Sequence, residues 1–265
     1  RARWAAARLI RRVKATAYAV VEQLRRGEFS ISGTETEFGI GKRYPELILE
    51  LPGGGRYILS GRIDRIDSYT SDSGEKFVRV IDYKSKSGSV FDCADIADGK
   101  RLQLPLYIAA IEAAGAAERA AGMYYLPVHE GIINSSGKED DFGARILKEF
   151  RLRGACLNDA KLIELGGGED VQPTARSGWR LSGEQLKGTV NFAVDRARQT
   201  AYKIAKGYAQ AYPLMSKENK TECEWCDYNS VCGFDATLPC CKYRRASIIK
   251  KDDFLEEVSH AQLDR

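Results

Sequence analysis

Apolar residues recur at Leu9, Val13, Tyr18, Val21 and Leu24, close to a 3.6-residue period. The spacing predicts one amphipathic helix over residues 2–26, stopped by Gly27. The signals then change to those of strands. Thr34 to Ile40 is short and rich in β-formers, and Glu46 to Leu51 alternates. Gly53-Gly54-Gly55 supplies a turn, so Glu46–Leu51 and Arg56–Tyr69 are expected to form a hairpin. After a second turn at Thr70 to Lys76, Phe77 to Lys84 is the next strand, with Val78, Val80 and Ile81 inside it. Lys100 to Ala114 is helical, provided Pro105 lies in the first turn. Ala120 to Val128 is another strand. Residues 129–180 are rich in Gly and charge and are expected to be an insertion with short elements. Ser182 and Gln185 make a capping box opening a helix that runs to about Ala205 and stops at Gly207. From residue 213 the chain looks loop-like and Cys-rich. The expected fold class is α/β, a central mixed sheet flanked by helices. The expected division is a core over 1–212, carrying the insertion, and a tail over 213–265.

Composition narrows the function classes without choosing one. The 265 residues carry a net charge of +4 with 43% hydrophobic positions, an ordinary globular balance. No apolar run approaches the ~18–20 residues of a membrane span. The opening RARWAAARLIRRVKA has arginines throughout and lacks the apolar core of a secretory signal. The first residue is not Met, and the chain is expected to be part of something longer. Residues 1–26 hold eight basic residues and one acid, which suits either a solvated helix face or one turned to phosphates. No Gly-x4-Gly-Lys-Ser/Thr loop occurs, so this segment is not expected to bind ATP.

Five of seven cysteines fall within TECEWCDYNSVCGFDATLPCC. An odd total without a signal peptide argues against a disulfide framework. Cys223-x2-Cys226-x5-Cys232 can instead turn three thiolates onto one metal centre, and zinc or an iron–sulfur cluster both suit it.

Two neighbouring strands carry charges where apolar residues are expected, in GRIDRID (61–67) and VIDYKS (80–85). Alternation puts Asp82 and Lys84 on one face. Paired strands would bring Asp64 opposite Asp82. Two carboxylates that close repel unless a cation lies between them. Oxygen ligands suit Mg²⁺ or Mn²⁺. Lys84 beside them could orient or deprotonate a water, or neutralise charge on phosphorus-bound oxygens. Gln103 and Tyr107 share a helix face just beyond. Glu37, on an earlier strand, is a candidate third carboxylate.

GRIDRID, IDYKS and QLPLY, in that order, resemble the RecB-family branch of the PD-(D/E)XK nucleases. With CEWCDYNSVC following, the resemblance is to the C-terminal nuclease domains of the AddB type, which carry an iron–sulfur staple, and it covers nearly the whole chain. It implies a restriction-endonuclease-like core and Mg²⁺- or Mn²⁺-dependent hydrolysis of DNA, of the exonuclease kind, in double-strand break repair. It also implies an AddA-like helicase partner and a bacterial cytoplasmic setting. Residue by residue, it implies that Asp64, Asp82 and the Tyr83 carbonyl hold the metal and that Lys84 is the catalytic lysine. Gln103 and Tyr107 would shape the site and contact the DNA backbone, and Cys223, Cys226 and Cys232 would ligate a [4Fe–4S] cluster.

Two features depart from that pattern. The family has a His upstream of GRIDRID, whereas His129 and His260 both lie downstream. The fourth cluster cysteine is also expected upstream, before Arg1. A competing reading keeps the fold as a non-cleaving DNA-binding or scaffold module, stabilised by an iron–sulfur or zinc site.

Overall fold

The computed structural model describes residues 2–85, 91–115, 118–128, 142–174, 176 and 179–263. The expected feature at His129 lies outside these. The chain opens with helix α1 (Ala2–Arg25), then strands β1 (Ser30–Phe38), β2 (Leu47–Glu50), β3 (Arg56–Leu59), β4 (Gly61–Thr70) and β5 (Lys76–Lys84). Helices α2 (Cys93–Ala97) and α3 (Gln103–Glu112) lead to β6 (Glu118–Pro127). There follow α4 (Phe142–Glu149), β7 (Arg153–Leu157), α5 (Ala160–Leu165), α6 (Gly168–Val171), β8 (Trp179–Leu181) and the long α7 (Gly183–Ala205). The remainder holds β9 (Leu214–Met215), a 3₁₀ turn (Glu222–Trp225), α8 (Asn229–Cys232), β10 (Arg244–Arg245) and α9 (Lys251–Leu263).

Six strands form one mixed sheet in the order β1-β4-β5-β6-β7-β8. The pairs β1/β4, β4/β5 and β6/β7 are antiparallel, whereas β5/β6 and β7/β8 are parallel. A parallel step needs a crossover, and α2 and α3 supply it between β5 and β6. This is the expected α/β class, with helices against both sheet faces. On one face Ile66, Val78, Val80 and Met123 pack with Leu104, Ile108 and Ile111 of α3 and with Leu186 and Val190 of α7. On the other, Ile81, Tyr124 and Leu126 pack with Ala19 of α1 and with Ile146, Leu147 and Phe150.

Several expectations change in detail. The hairpin forms, but its second limb breaks at Ser60: Arg56–Leu59 pairs with β2, and Gly61–Thr70 joins the main sheet between β1 and β5. The stretch expected as an insertion contributes two strands of the central sheet, β7 and β8. The tail ends in α9, whose Phe254 and Val258 are buried and one turn apart, with Phe254 against Trp179 and Phe192. That helix packs on α7, where Gly188 makes room: a Cβ there would come within 2.4 Å of the Val258 carbonyl oxygen. Residues on both sides of the expected boundary at 212/213 thus share one core cluster. Helix α1 forms over the expected range but buries a different stripe. Thr16, Ala19 and Gln23 face inward, and Leu9, Val13, Tyr18 and Val21 are exposed. Small Ala19 allows close approach to the sheet, and the Gln23 side-chain amide donates to the Phe150 carbonyl at 2.8 Å. The capping box is present: Ser182 Oγ accepts from the Gln185 amide at 3.1 Å, and Gln185 Oε1 accepts from the Ser182 amide at 3.0 Å.

Candidate active site

The site lies at the junction of β4, β5, β6 and the start of α3. Antiparallel register pairs Arg65 with Ile81, which continues to Asp64 opposite Asp82. Alternation places both carboxylates on the α3 side, beside Ile66 and Val80. The Tyr83 amide donates to Asp64 Oδ2 at 3.0 Å, fixing the β4 carboxylate to the strand that carries Asp82. Asp82 is 1% exposed. Burial pushes its carboxyl upward, the Asp64 charge adds to that rise, and Lys84 opposes it.

Lys84 is held from three sides. Its Nζ lies 2.5 Å from Asp82 Oδ2, donates to Gln103 Oε1 at 3.0 Å, and stands 5.4 Å from the centre of the Tyr125 ring. Gln103 Nε2 in turn donates to the Tyr107 hydroxyl at 2.6 Å. Gln103 and Tyr107 are one turn apart on α3, so a single helix face orients the lysine. Pro105 sits within the first turn of α3, where its missing amide costs no helical hydrogen bond. Phe38 closes the arrangement edge-on against Tyr107, with ring centres 6.1 Å apart. Burial raises the Tyr107 hydroxyl above its usual range and takes Tyr125 to about 12, so both remain neutral near pH 7.

Sequence patterns alone do not single out Tyr125. It pairs with Asp82 across the parallel β5/β6 register, and the alternation of AAGMYYLPV is the available signal. A second group that the patterns miss lies on the opposite sheet face. Arg65 grips Asp67 through two hydrogen bonds of 2.6 and 2.7 Å, and Arg79 Nε reaches the same carboxylate at 2.9 Å. All three are buried. Arg79 also donates to the Gly166 carbonyl at 3.1 Å and lies 4.7 Å over the Phe29 ring. The second half of GRIDRID therefore braces the sheet behind the site.

The other expected residues are dispersed. Glu37 is exposed and paired with Lys42 at 2.6 Å, an interaction that lowers its carboxyl. Cys223 is half-buried, and Cys226 and Cys232 are exposed. Among the described residues no three His, Cys, Asp or Glu side chains are gathered to hold a metal. Asp64 and Asp82 do fit a hard divalent cation: two carboxylates share one sheet face, and Asp82 Oδ2 is buried with the Lys84 ammonium, at 2.5 Å, as its counter-charge.

Two carboxylates and a lysine thus converge on one face of the sheet, beside its parallel crossover. Residues 1–233 match the model of the PD-(D/E)XK nuclease superfamily, and the chain belongs to that superfamily. It is similar to proteins named as the B subunits of ATP-dependent helicase/deoxyribonucleases. The one from Moorella thermoacetica is 35% identical over 87% of this chain and 22% of its own length. Those from Alkaliphilus metalliredigens and Acetivibrio thermocellus are 26% and 29% identical, over 95% and 87% of this chain and 23% and 22% of theirs. The chain thus spans less than a quarter of the length of these relatives. No helix among the described residues is long and apolar enough to cross a membrane.

Proposed function

We propose that this chain is the nuclease domain of an AddB-like helicase–nuclease protein, hydrolysing DNA phosphodiesters. The observation that supports it most is the linkage of Asp64, Asp82, Lys84 and Gln103 in one connected group on one sheet face. Asp64, Asp82 and the Tyr83 carbonyl would hold Mg²⁺ or Mn²⁺, which when bound acidifies a water and neutralises the phosphate. Glu37 would join only after release from Lys42, an exposed pair of small energetic value.

The remaining chemistry belongs to the chain itself. Lys84 Nζ presents a positive charge where negative charge grows on phosphorus-bound oxygen. Gln103 accepts one of its hydrogens, and Tyr125 walls its stem, so the ammonium is oriented before substrate arrives. The Lys84 ammonium can only donate and therefore takes the Gln103 oxygen, leaving Gln103 Nε2 to donate to the neutral Tyr107 hydroxyl.

The names of the relatives support DNA as substrate and an AddA-like helicase as partner. We assign the domain to exonucleolytic processing of double-strand breaks in recombination, in a bacterial cytoplasm. Cys223, Cys226 and Cys232 would ligate a [4Fe–4S] cluster only after moving together and gaining a fourth thiolate. The retained Asp64, Asp82 and Lys84 favour an enzyme over a non-cleaving module. The test is cleavage of linear DNA with Mg²⁺ by the protein and by Lys84→Ala: loss in the variant with retained melting temperature supports the assignment, and equal rates refute it.

A further inference from the structure

A shallow trough on the molecular surface, away from the carboxylates, combines three cations with two exposed aromatic rings. It lies between the C-terminal half of α7, the end of α2 and β10. Arg196 and Lys203 project from α7 seven positions apart, two turns on the same side and about 10 Å along the axis. Arg244 faces them from β10. The one acid in the lining, Asp98, is half-buried; its carboxylate accepts from the Ser247 amide and hydroxyl at 2.9 and 2.8 Å and lies 3.7 Å from Arg244 Nη1, and Arg244 Nη2 donates to its backbone carbonyl at 3.1 Å. With Arg244 set against this single acid, the net positive charge of the trough comes from Arg196 and Lys203.

Its far side is made by Tyr208 and Tyr212, which are 54% and 46% exposed. Their placement follows from how α7 ends. Gly207, at φ +70°, reverses the chain, and the Gly207 and Tyr208 amides donate to the carbonyls of Ile204 and Lys203 at 2.9 and 3.0 Å. This closure folds Tyr208 back, leaving Lys203 Nζ 5.8 Å from its ring centre. The Tyr208 hydroxyl donates to Gln210 Oε1 at 2.9 Å, which holds the ring in place.

Cations that follow a backbone beside aromatic faces that take bases are the recognition chemistry of single-stranded nucleic acid. The volume, about 240 Å³, is below the ~300–1,000 Å³ of pockets that enclose a whole small ligand. It suits part of a polymer lying across it. We propose that this trough is a second binding site for single-stranded DNA, with Tyr208 and Tyr212 stacking bases and Arg196 and Lys203 contacting phosphates. The choice of DNA over RNA rests on the proposed function; the site itself does not. Gly99, in the trough wall, precedes Gln103 of the candidate active site by four positions in the chain.

The test is anisotropy of a fluorescent single strand of roughly 30 nucleotides, longer than the ~4–16 that one binding fold covers. It is run in EDTA, so that no cleavage is needed. Tyr208→Ala and Tyr212→Ala are each expected to weaken binding roughly fivefold or more at fixed salt. Tyr208→Phe, which keeps the ring, is expected to bind like the parent. Lys203→Gln is expected to lower the slope of log affinity against log salt by about 0.7. Parental affinity and salt slope in Tyr208→Ala, Tyr212→Ala and Lys203→Gln overturn the proposal, as does an equal loss in Tyr208→Phe. Loss of binding in a protein that cleaves nothing with Mg²⁺ would retain this site and refute the nuclease assignment instead.

Discussion

Asp64 Oδ2 accepts a hydrogen bond from the amide of Tyr83 at 3.0 Å, so an acid on one strand is fixed by the backbone between Asp82 and Lys84 on the next. That link sets the separation of two carboxylates that would otherwise move apart. A neutral amide at position 64 keeps an acceptor for the Tyr83 N–H but removes a charge. Asp64→Asn is therefore expected to keep the parent melting temperature within a few degrees and to lose nearly all cleavage, read by thermal melting beside a nuclease assay.

Asp82 carries a pH signature. Burial first, and the Asp64 charge next, raise its carboxyl above the ordinary range, against the pull of Lys84. A carboxyl raised in the folded state favours folding below its unfolded value and loses that contribution as pH rises through the folded value. In EDTA, Asp82→Asn should therefore gain melting temperature relative to the parent as pH goes from about 4 to about 7. A constant difference between the two melting curves across that range would contradict the burial argument.

On the proposed function, Gln103 acts through Lys84, whose ammonium it orients. Gln103→Ala is expected to lower kcat on the order of tenfold or more while leaving DNA affinity near the parent value. Gln103→Glu should retain more activity than Ala, because its carboxylate can still accept from the ammonium. A change confined to KM would mean that Gln103 contacts DNA instead.

Behind the sheet, Asp67 neutralises two buried guanidiniums. Removing it leaves both charges without a counterion in a site that water does not reach. Asp67→Ala is expected to cost about 3–5 kcal/mol in urea unfolding. A loss under about 1 kcal/mol would show that the buried charges find other partners. In the same assay, Phe254→Ala should cost about 3–5 kcal/mol, because α9 fills the main core.

Much of this arrangement was legible in the pattern of residues. The alternation of side-chain faces along VRVIDYK, and the pairing of that strand with GRIDRID, put Asp64, Asp82 and Lys84 on one face, and the i, i+4 spacing of Gln103 and Tyr107 placed them together. What stayed hidden has physical reasons. Arg65, Asp67 and Arg79 are residue types that normally lie outside, and only mutual pairing allows their burial. Strands β7 and β8 are short, and the Gly and Cys of RGACL weaken their signal. In α1 the apolar stripe predicted the helix but not its buried side, because packing was decided by one Ala and one hydrogen-bonding Gln. Phe254 and Val258 carry the burial of α9 within KDDFLEEVSH, a mostly charged sequence.

The central claim is that the Asp64–Asp82–Lys84 group cleaves DNA with a divalent cation. Its most direct test is single-turnover cleavage of end-labelled linear DNA, with and without Mg²⁺, by the protein and by Asp82→Asn. Mg²⁺-dependent product is expected from the protein, none from Asp82→Asn, and equal DNA affinity for the two in EDTA. Product from Asp82→Asn at the parent rate, or parent cleavage that persists in EDTA, would contradict it.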